Sequence, residues 1–243
     1  MPKSYFDGVI AQDYDADSAD MFDPAVIEPA VRFLAELAGH GSALELAIGT
    51  GRIALPLSQR GVRVHGIDLS ADMVAQLRAK PGSEDIAVTI GDFATTMVDG
   101  TFGLAYLVYN TIENLTTQDE QVECFRNVAR HLELGGCFVI EVEVPQLQRL
   151  PPGEKVRVFD VGPTRLGFDE LDVATQSGVS HHHWILDGRR EVFSMPYRYV
   201  WPSELDLMAR LASMRLRERW GDWNREPFTS GSFKHISVWE KTA

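Results

Sequence analysis

Cysteine is scarce in this chain: 243 residues contain only Cys124 and Cys137, and neither sits in a metal-binding or redox spacing. That argues against a disulfide framework or a thiolate metal site, and the two are expected as free thiols in a reducing cytoplasm. No apolar run reaches the roughly 18 residues that mark a membrane span, so no membrane association is expected. The start, Met1 to Asp7, lacks the apolar stretch of a signal peptide. Positive charge is also short, with 23 Lys and Arg against 35 Asp and Glu, a net charge of −12. No Lys/Arg cluster offsets it, so a polyphosphate backbone would be repelled and nucleic acid is not expected as a partner. The expected partner is a small molecule.

What is present is an ordinary globular balance, 44% hydrophobic and 24% charged residues, over a length that suits one α/β domain with a modest insertion. Asp23-Pro24 is a helix start, and Val26, Ile27, Ala30, Phe33, Leu34 and Leu37 follow at helical spacing until Gly39. Ser42–Ile48 reads as a buried strand, Ile53–Arg60 as a helix and Val62–Ile67 as a second strand. Ser70 caps a helix to about Ala79. Ile86–Ile90 and Phe102–Tyr109 are further strands, Thr117 to Glu120 is a capping box opening a helix through Leu132, and Gly135-Gly136 turns into a strand over Cys137–Val144. Such alternation implies right-handed crossovers and a parallel sheet.

The pattern changes after Pro145. Turn signals at Pro151-Pro152-Gly153, Gly162-Pro163, Gly178 and Asp187-Gly188 separate β-leaning runs at Val156–Phe159, Leu171–Thr175, Val179–Leu186 and Glu191–Val200, which predicts an antiparallel β insertion. A helix returns at Pro202 with Leu205, Leu207, Met208 and Leu211, and two strands close the chain at about Arg215–Trp220 and Phe233–Glu240. Within the helix, Ser203 to Asp206 reads as capping alone.

Three loops carry the chemistry. In the first, Glu45-Leu46-Ala47-Ile48-Gly49-Thr50-Gly51-Arg52, two glycines let the backbone turn tightly and approach a ligand, and the following helix offers unpaired N–H groups. In the second, Asp68 ends the second strand seventeen residues after Gly51, where an acid can accept both hydroxyls of a ribose. In the third, Gly91-Asp92-Phe93 offers an acid for an adenine amino group and a ring to pack on the base. All three follow carboxyl ends of strands, where open α/β sheets bind nucleotides.

With these loops the chain resembles the class I S-adenosylmethionine (SAM)-dependent methyltransferases, strongly over residues 40–145 and weakly over the closing hairpin near Trp220 and Phe233–Glu240. The family places an acid four residues before the first obligatory glycine, as Glu45 stands to Gly49. Ala47 stands where the family often has glycine. The resemblance implies that Glu45 and the Gly49–Gly51 backbone hold the methionine end of SAM, Asp68 the ribose, and Asp92 with Phe93 the adenine. Ala47, Thr50, Leu69 and Tyr109 complete the expected cofactor site, with Tyr14 as a lid aromatic from the segment before the first core helix.

Gly49-Thr50-Gly51-Arg52-Ile53-Ala54 also fits the dinucleotide fingerprint, so an NAD(P)-binding oxidoreductase stands as an alternative. An acid at position 45 sits badly near a pyrophosphate and well near the ammonium of methionine, and the closing hairpin also favours SAM. A SAM-binding accessory protein without turnover is a further alternative.

Tyr109 to Asn114 follows the fourth strand, and in class I folds this loop lies beside the transferable methyl group. Asn110 and Asn114 are acceptor-binding candidates and Glu113 a candidate base, against a plain turn-and-cap role. No Asn-Pro-Pro-Tyr loop, the mark of nucleobase amino methylation, is present. His181 and His183 share a strand face and are candidate bases. No Cys or carboxylate supports them at a ligand spacing, so no metal is expected. Arg198 and Trp201, where the insertion ends, are acceptor-binding candidates, against a packing role.

The expectation is a Rossmann-like, seven-stranded, mostly parallel sheet with helices on both faces and an antiparallel β insertion before the last helix. Residues 1–145 form the SAM-binding core with its lid, 146–200 the acceptor cap, and 201–243 the helix and hairpin completing the core. The expected enzyme is cytoplasmic, a monomer or homodimer. It moves a methyl group to an O, N or C atom of a small molecule by in-line attack, leaving S-adenosylhomocysteine.

Overall fold

The computed structural model describes residues 4–186 and 189–242. The expected turn at Asp187-Gly188 lies outside them. Six helices, α1 (Val9–Asp17), α2 (Pro24–Ala38), α3 (Ala54–Gln59), α4 (Ala71–Arg78), α5 (Gln118–His131) and α6 (Pro202–Leu211), accompany two sheets. The larger sheet holds β1 (Ser42–Leu46), β2 (Arg63–Asp68), β3 (Ala87–Ile90), β4 (Phe102–Leu107), β5 (Leu132–Glu143), β10 (Met214–Trp220) and β11 (Lys234–Lys241). Its order is β10-β11-β5-β4-β1-β2-β3, parallel except that β11 runs antiparallel to β5 and β10. The smaller sheet runs β6 (Val156–Val161), β7 (Arg165–Asp172), β8 (Ser177–Leu186) and β9 (Arg189–Arg198) in order, all antiparallel. This is the expected fold class.

Period-two alternation builds two cores from one set of strands. Leu44, Leu46, Ala105, Leu107, Phe138 and Ile140 face α5 and α6, where Phe125, Val128, Leu205 and Met208 meet them. Ala43, Leu104, Tyr106, Val139 and Val238 point the other way, against Phe33, Leu34, Leu57 and Leu77 of α2, α3 and α4. The helix starts are fixed as their residues dictate. Asp23 accepts from the Ala25 N–H, Ser70 from the Met73 N–H, and Thr117 and Glu120 close a reciprocal capping box.

Three local expectations need correction. The strand expected at Leu171–Thr175 lies earlier, as β7. The Asp172 carboxylate accepts from the Ala174 N–H and the Thr175 hydroxyl, turning the β-branched residues there into a turn. Gly135-Gly136 does not begin the fifth strand. Leu132 already pairs with Phe102, and the register then jumps to Leu104–Cys137, leaving a bulge in which Gly135 takes φ +81°. Glu204 and Asp206 are not capping residues. Glu204 accepts from Arg198, Gln176 and Gln118, while Asp206 accepts from Arg219 and the Trp239 indole.

Candidate active site

β1 lies between β2 and β4, so the chain leaves β1 in opposite directions across the sheet at this point, and loops on its carboxyl side splay apart to leave a crevice. The glycine loop follows β1 there. Gly51 has φ +81°, and a Cβ on it would fall 2.3 Å from the Leu77 side chain, so glycine is required for both torsion and space. Ala47 also takes a left-handed torsion, φ +54°, at the position where glycine is frequent in the family. This conformation is costly but not forbidden for alanine.

Asp68 closes the loop onto β2. Its carboxylate accepts from the Gly49 N–H at 2.6 Å and the Ser70 N–H at 2.8 Å. The side chain is 7% exposed, and burial pushes its pKa up against those hydrogen bonds. Leu69 follows it, half-buried. Glu45 is 3% exposed, and the Tyr106 hydroxyl donates to it at 2.8 Å. Burial raises its pKa to about 8, with the Tyr106 bond and Arg52 opposing. The third loop is tied to the second, since the Gly91 N–H donates to the Asp68 carbonyl. Asp92 accepts from the Ala94 N–H, and Phe93 is buried in the core on the α5 side.

The N-terminal segment lies across these loops. Asp15 accepts from the Thr50 hydroxyl at 2.6 Å and pairs with Lys80, whose ammonium also donates to the Thr50 carbonyl. The Ser70 hydroxyl donates to the Phe6 carbonyl, and the Gly8 N–H donates to Asp72. Tyr14 packs edge-on against Phe6. Burial and the neighbouring Tyr109 push its hydroxyl up to about 12, with Arg52 opposing. The Arg52 guanidinium stands over the Tyr109 ring at 5.4 Å. Tyr14, Tyr109 and Arg52 thus gather above the glycine loop. Arg52 lay in the motif yet had no expected role.

Tyr109 and Asn110 have φ of +59° and +60°, two consecutive left-handed non-glycine residues. Such strain persists only where surroundings over-determine it. Here β5 does so through two acids missed in the sequence. Glu141 accepts from the Tyr109 N–H with its carboxylate and from the Asn110 N–H with its carbonyl. Glu143 accepts from the Asn110 side chain, and its own N–H donates back to the Asn110 oxygen. Glu141 is held in turn by the Trp223 indole and Lys234. Acids within an otherwise apolar buried strand were the available signal.

Beyond this loop the small sheet roofs a cavity of about 40 Å³ lined by Glu113, Glu143, Arg157, Leu171, Tyr197 and Tyr199, among others. Arg157 donates twice to the buried Asp169 carboxylate, at 2.7 and 3.2 Å. Glu113 is half-buried and makes no side-chain hydrogen bond among the described residues. Burial drives its pKa well above the usual carboxylate range, Glu143 and Asp169 push the same way, and Arg157 opposes. Burial and the same acids push the Tyr197 hydroxyl up.

Five expected site residues do not line this cavity. Strand register puts Arg157, Asp169, Leu171, Tyr197 and His182 on one face of the small sheet, and His181 and His183 on the other. The two candidate bases therefore point away from the cavity, with Phe168 stacked against both. Arg198 is buried, donating to Gln121 at 2.6 Å and Glu204 at 2.8 Å, which fastens the base of the small sheet to α5 and α6. Trp201 is the residue preceding α6 and makes no side-chain cap. Asn114 ends the single turn of Thr111–Asn114, half-buried. Among the described residues no group of His, Cys, Asp and Glu is arranged to hold a metal ion.

A family model described as a methyltransferase domain matches residues 43–136. The CcbJ methyltransferase from Streptomyces caelestis is 34% identical, with 99% of both chains covered and a TM-score of 0.88. The chain belongs to the class I SAM-dependent methyltransferases. Cypemycin N-terminal methyltransferase from Streptomyces sp. is 25% identical over 94% of this chain and 97% of the relative. The fold is shared with CalS10, an amino pentose methyltransferase from Micromonospora echinaspora solved with bound SAM. The identity there is 19%, the full length of both chains is covered and the TM-score is 0.71. The methyltransferase described here is therefore an enzyme with SAM as its methyl donor, and the oxidoreductase and non-catalytic alternatives fall away. No helix among the described residues is long and apolar enough to cross a membrane.

Proposed function

We propose that this methyltransferase acts on an amine nitrogen of a small-molecule acceptor held between the Tyr109–Asn114 loop and the small sheet, with residues 146–200 serving as the acceptor cap. The observation that carries the reading is Glu113, a half-buried carboxyl group lining the cavity with Glu143 and, among the described residues, without a side-chain hydrogen bond. Asp169 pairs with the one guanidinium, Arg157, and leaves Glu113 and Glu143 unbalanced at the cavity, which favours a cationic guest, as a protonated amine is. The names of CalS10, an amino pentose methyltransferase, and of the cypemycin N-terminal methyltransferase point the same way.

The cofactor loops fit SAM. Glu45, nearly inaccessible yet bonded by one hydroxyl, suits the methionine ammonium. Arg52, with Tyr14 and Tyr109 around it, suits the methionine carboxylate. Gly49 and Gly51 leave the backbone bare, Asp68 keeps lone pairs for the ribose hydroxyls, and Asp92 suits the adenine amino group. Thr50, held by Asp15, ties the N-terminal segment down as a lid that excludes water. SAM, when bound, supplies a methyl group on a sulfonium sulfur, open to in-line attack. With the cationic acceptor beside it Glu113 gives up its own proton to solvent and, as the carboxylate, takes one proton from the ammonium, freeing the nitrogen lone pair to form the new N–C bond as the S–C bond breaks. Tyr197 and Arg157 hold the acceptor's polar groups. Orientation supplies most of the rate, about 7–11 kcal/mol in well-aligned systems.

The test is a S-adenosylhomocysteine-release assay on a panel of amino sugars, amino acids and short peptides, each paired with its hydroxyl analogue. Amines are expected to turn over and their hydroxyl analogues not. Glu113→Gln is expected to lower kcat about 10²–10⁴-fold, the usual contribution of a positioned base, while SAM affinity stays intact. Turnover of hydroxyl analogues alone, or an undiminished kcat in Glu113→Gln, overturns the reading.

A further inference from the structure

The connection between β10 and β11, residues 221–233, follows none of the strands that carry the cofactor loops, yet it is tightly placed. Asp222 accepts from the Asn224 and Glu226 N–H groups and so sets its turn. Asn224 accepts from Arg32 of α2 at 3.2 Å, and Arg225 pairs with Glu36 at 2.6 Å and stands over the Phe33 ring at 4.6 Å. Between these ties Trp223, 7% exposed, packs edge-on against Phe33. Its indole N–H is aimed out of that apolar packing at the carboxylate of Glu141, 2.9 Å away.

Glu141 joins two sets of donors. One carboxylate oxygen accepts from the Trp223 indole and from the Lys234 ammonium at 2.6 Å, and the other accepts from the Tyr109 N–H at 3.2 Å. Both oxygens must accept, which a carboxylate does and a carboxamide does not. The Tyr109 end is the strained one, where two consecutive non-glycine residues take left-handed torsions. Those torsions set where the Tyr109 ring points, and it meets the Arg52 guanidinium. We propose that Trp223 and Lys234 are positioning residues for the cofactor. They fix the Glu141 carboxylate, Glu141 holds the Tyr109 backbone in its left-handed conformation, and the Tyr109 ring thereby stays against Arg52 at the methionine end of SAM. This rests on the assignment of Arg52 and Tyr109 to that end. The segment that closes the chain thus governs a loop that lies far from it in sequence.

Titration calorimetry of the full chain with S-adenosylhomocysteine, and with methylthioadenosine, which lacks the amino-acid end, tests this. Trp223→Phe keeps a ring against Phe33 and removes the N–H, and Lys234→Met removes the ammonium. Each is expected to weaken S-adenosylhomocysteine binding about tenfold, the size of coupling usual within one hydrogen-bond network, and to leave methylthioadenosine affinity within about twofold. In a Tyr109→Ala background, Trp223→Phe is expected to cost nothing further. Unchanged S-adenosylhomocysteine affinity in both single variants, while Tyr109→Ala weakens it, overturns the proposal. Losses that add in the double variant, or that fall equally on methylthioadenosine, mark a purely structural role and overturn it too. Unchanged affinity in Tyr109→Ala overturns the placing of Tyr109 at the cofactor, and the proposal with it.

Discussion

Asp68→Asn separates two duties that the structure gives one carboxylate. Without ligand, one oxygen accepts from the Gly49 N–H and the other from the Ser70 N–H. Asparagine keeps one acceptor oxygen and turns an NH₂ toward the other donor. One hydrogen bond to a charged group is lost, worth about 1.5–3 kcal/mol, and a buried donor is left unsatisfied, worth about 1–3 kcal/mol more. Against this stands relief: burial already penalises the Asp68 charge, and asparagine carries none. A net destabilisation of about 2–3 kcal/mol follows, or roughly 4–12 °C in Tm for a chain of this size. The ribose contacts proposed for Asp68 add a second effect. Losing two costs on the order of 10²–10⁴-fold in SAM affinity. Scanning calorimetry reads the first and titration calorimetry the second, below the lowered Tm. A folded variant with unchanged SAM affinity refutes the ribose assignment. An unchanged Tm refutes the claim that Asp68 anchors the glycine loop.

Glu45 predicts a pH dependence of the cofactor-free enzyme. Its folded-state pKa, about 8, lies above the ordinary 4.5, so the native state holds the proton more tightly. Its contribution to stability is complete below pH 4.5 and lost as pH rises through about 8; Glu113 shifts the same way. Tm is expected to fall from pH 5.5 to 8.5, and Glu45→Gln to flatten that slope; an identical slope in the variant counts against it. Arg198→Ala takes the cation away from Glu204 and a donor away from the Gln121 oxygen at a buried junction and is expected to cost about 3–5 kcal/mol, with SAM affinity unchanged. A loss confined to acceptor binding, with Tm intact, would restore Arg198 as an acceptor contact.

The fold was legible because its signals are local and periodic. Asp23-Pro24, Ser70 and the Thr117 capping box start helices by bonding their own backbone, and the apolar strands alternate as a two-faced sheet requires. β7 was misplaced because Val173 and Thr175 look like strand residues until Asp172 bends the chain around them. The cofactor loops were legible because each spans a few consecutive residues. The cavity under the small sheet was not, because its residues come from β5, β6, β7, β9 and a single helical turn, and only the pairing register shows which side chains share a face. Counting from any wrong residue reverses the answer. His181 and His183 drew attention as a cluster, whereas Tyr197 and Arg157, on the face turned to the cavity, had nothing in their neighbours to mark them.

The size of the cavity adds a constraint on how an acceptor enters. About 40 Å³ holds a water or two, far short of the few hundred that a small-molecule site usually encloses. Some wall must give way. The base of the cap is fixed by Arg198, Gln121, Gln176 and Glu204, which lock the start of α6 and the end of β9 to α5. The roof side chains have weaker ties: among the described residues Arg157 is held by Asp169 alone, and its side chain is 26% exposed. Under the amine reading the guest itself explains the closure. A cation between Glu113 and Glu143 opposes the burial and the repulsion that raise the Glu113 pKa, and it releases Arg157 to solvent or to an anionic group on the acceptor. Recognition and proton removal then draw on the same carboxyl group, so the charge that admits the acceptor also prepares its nitrogen for attack.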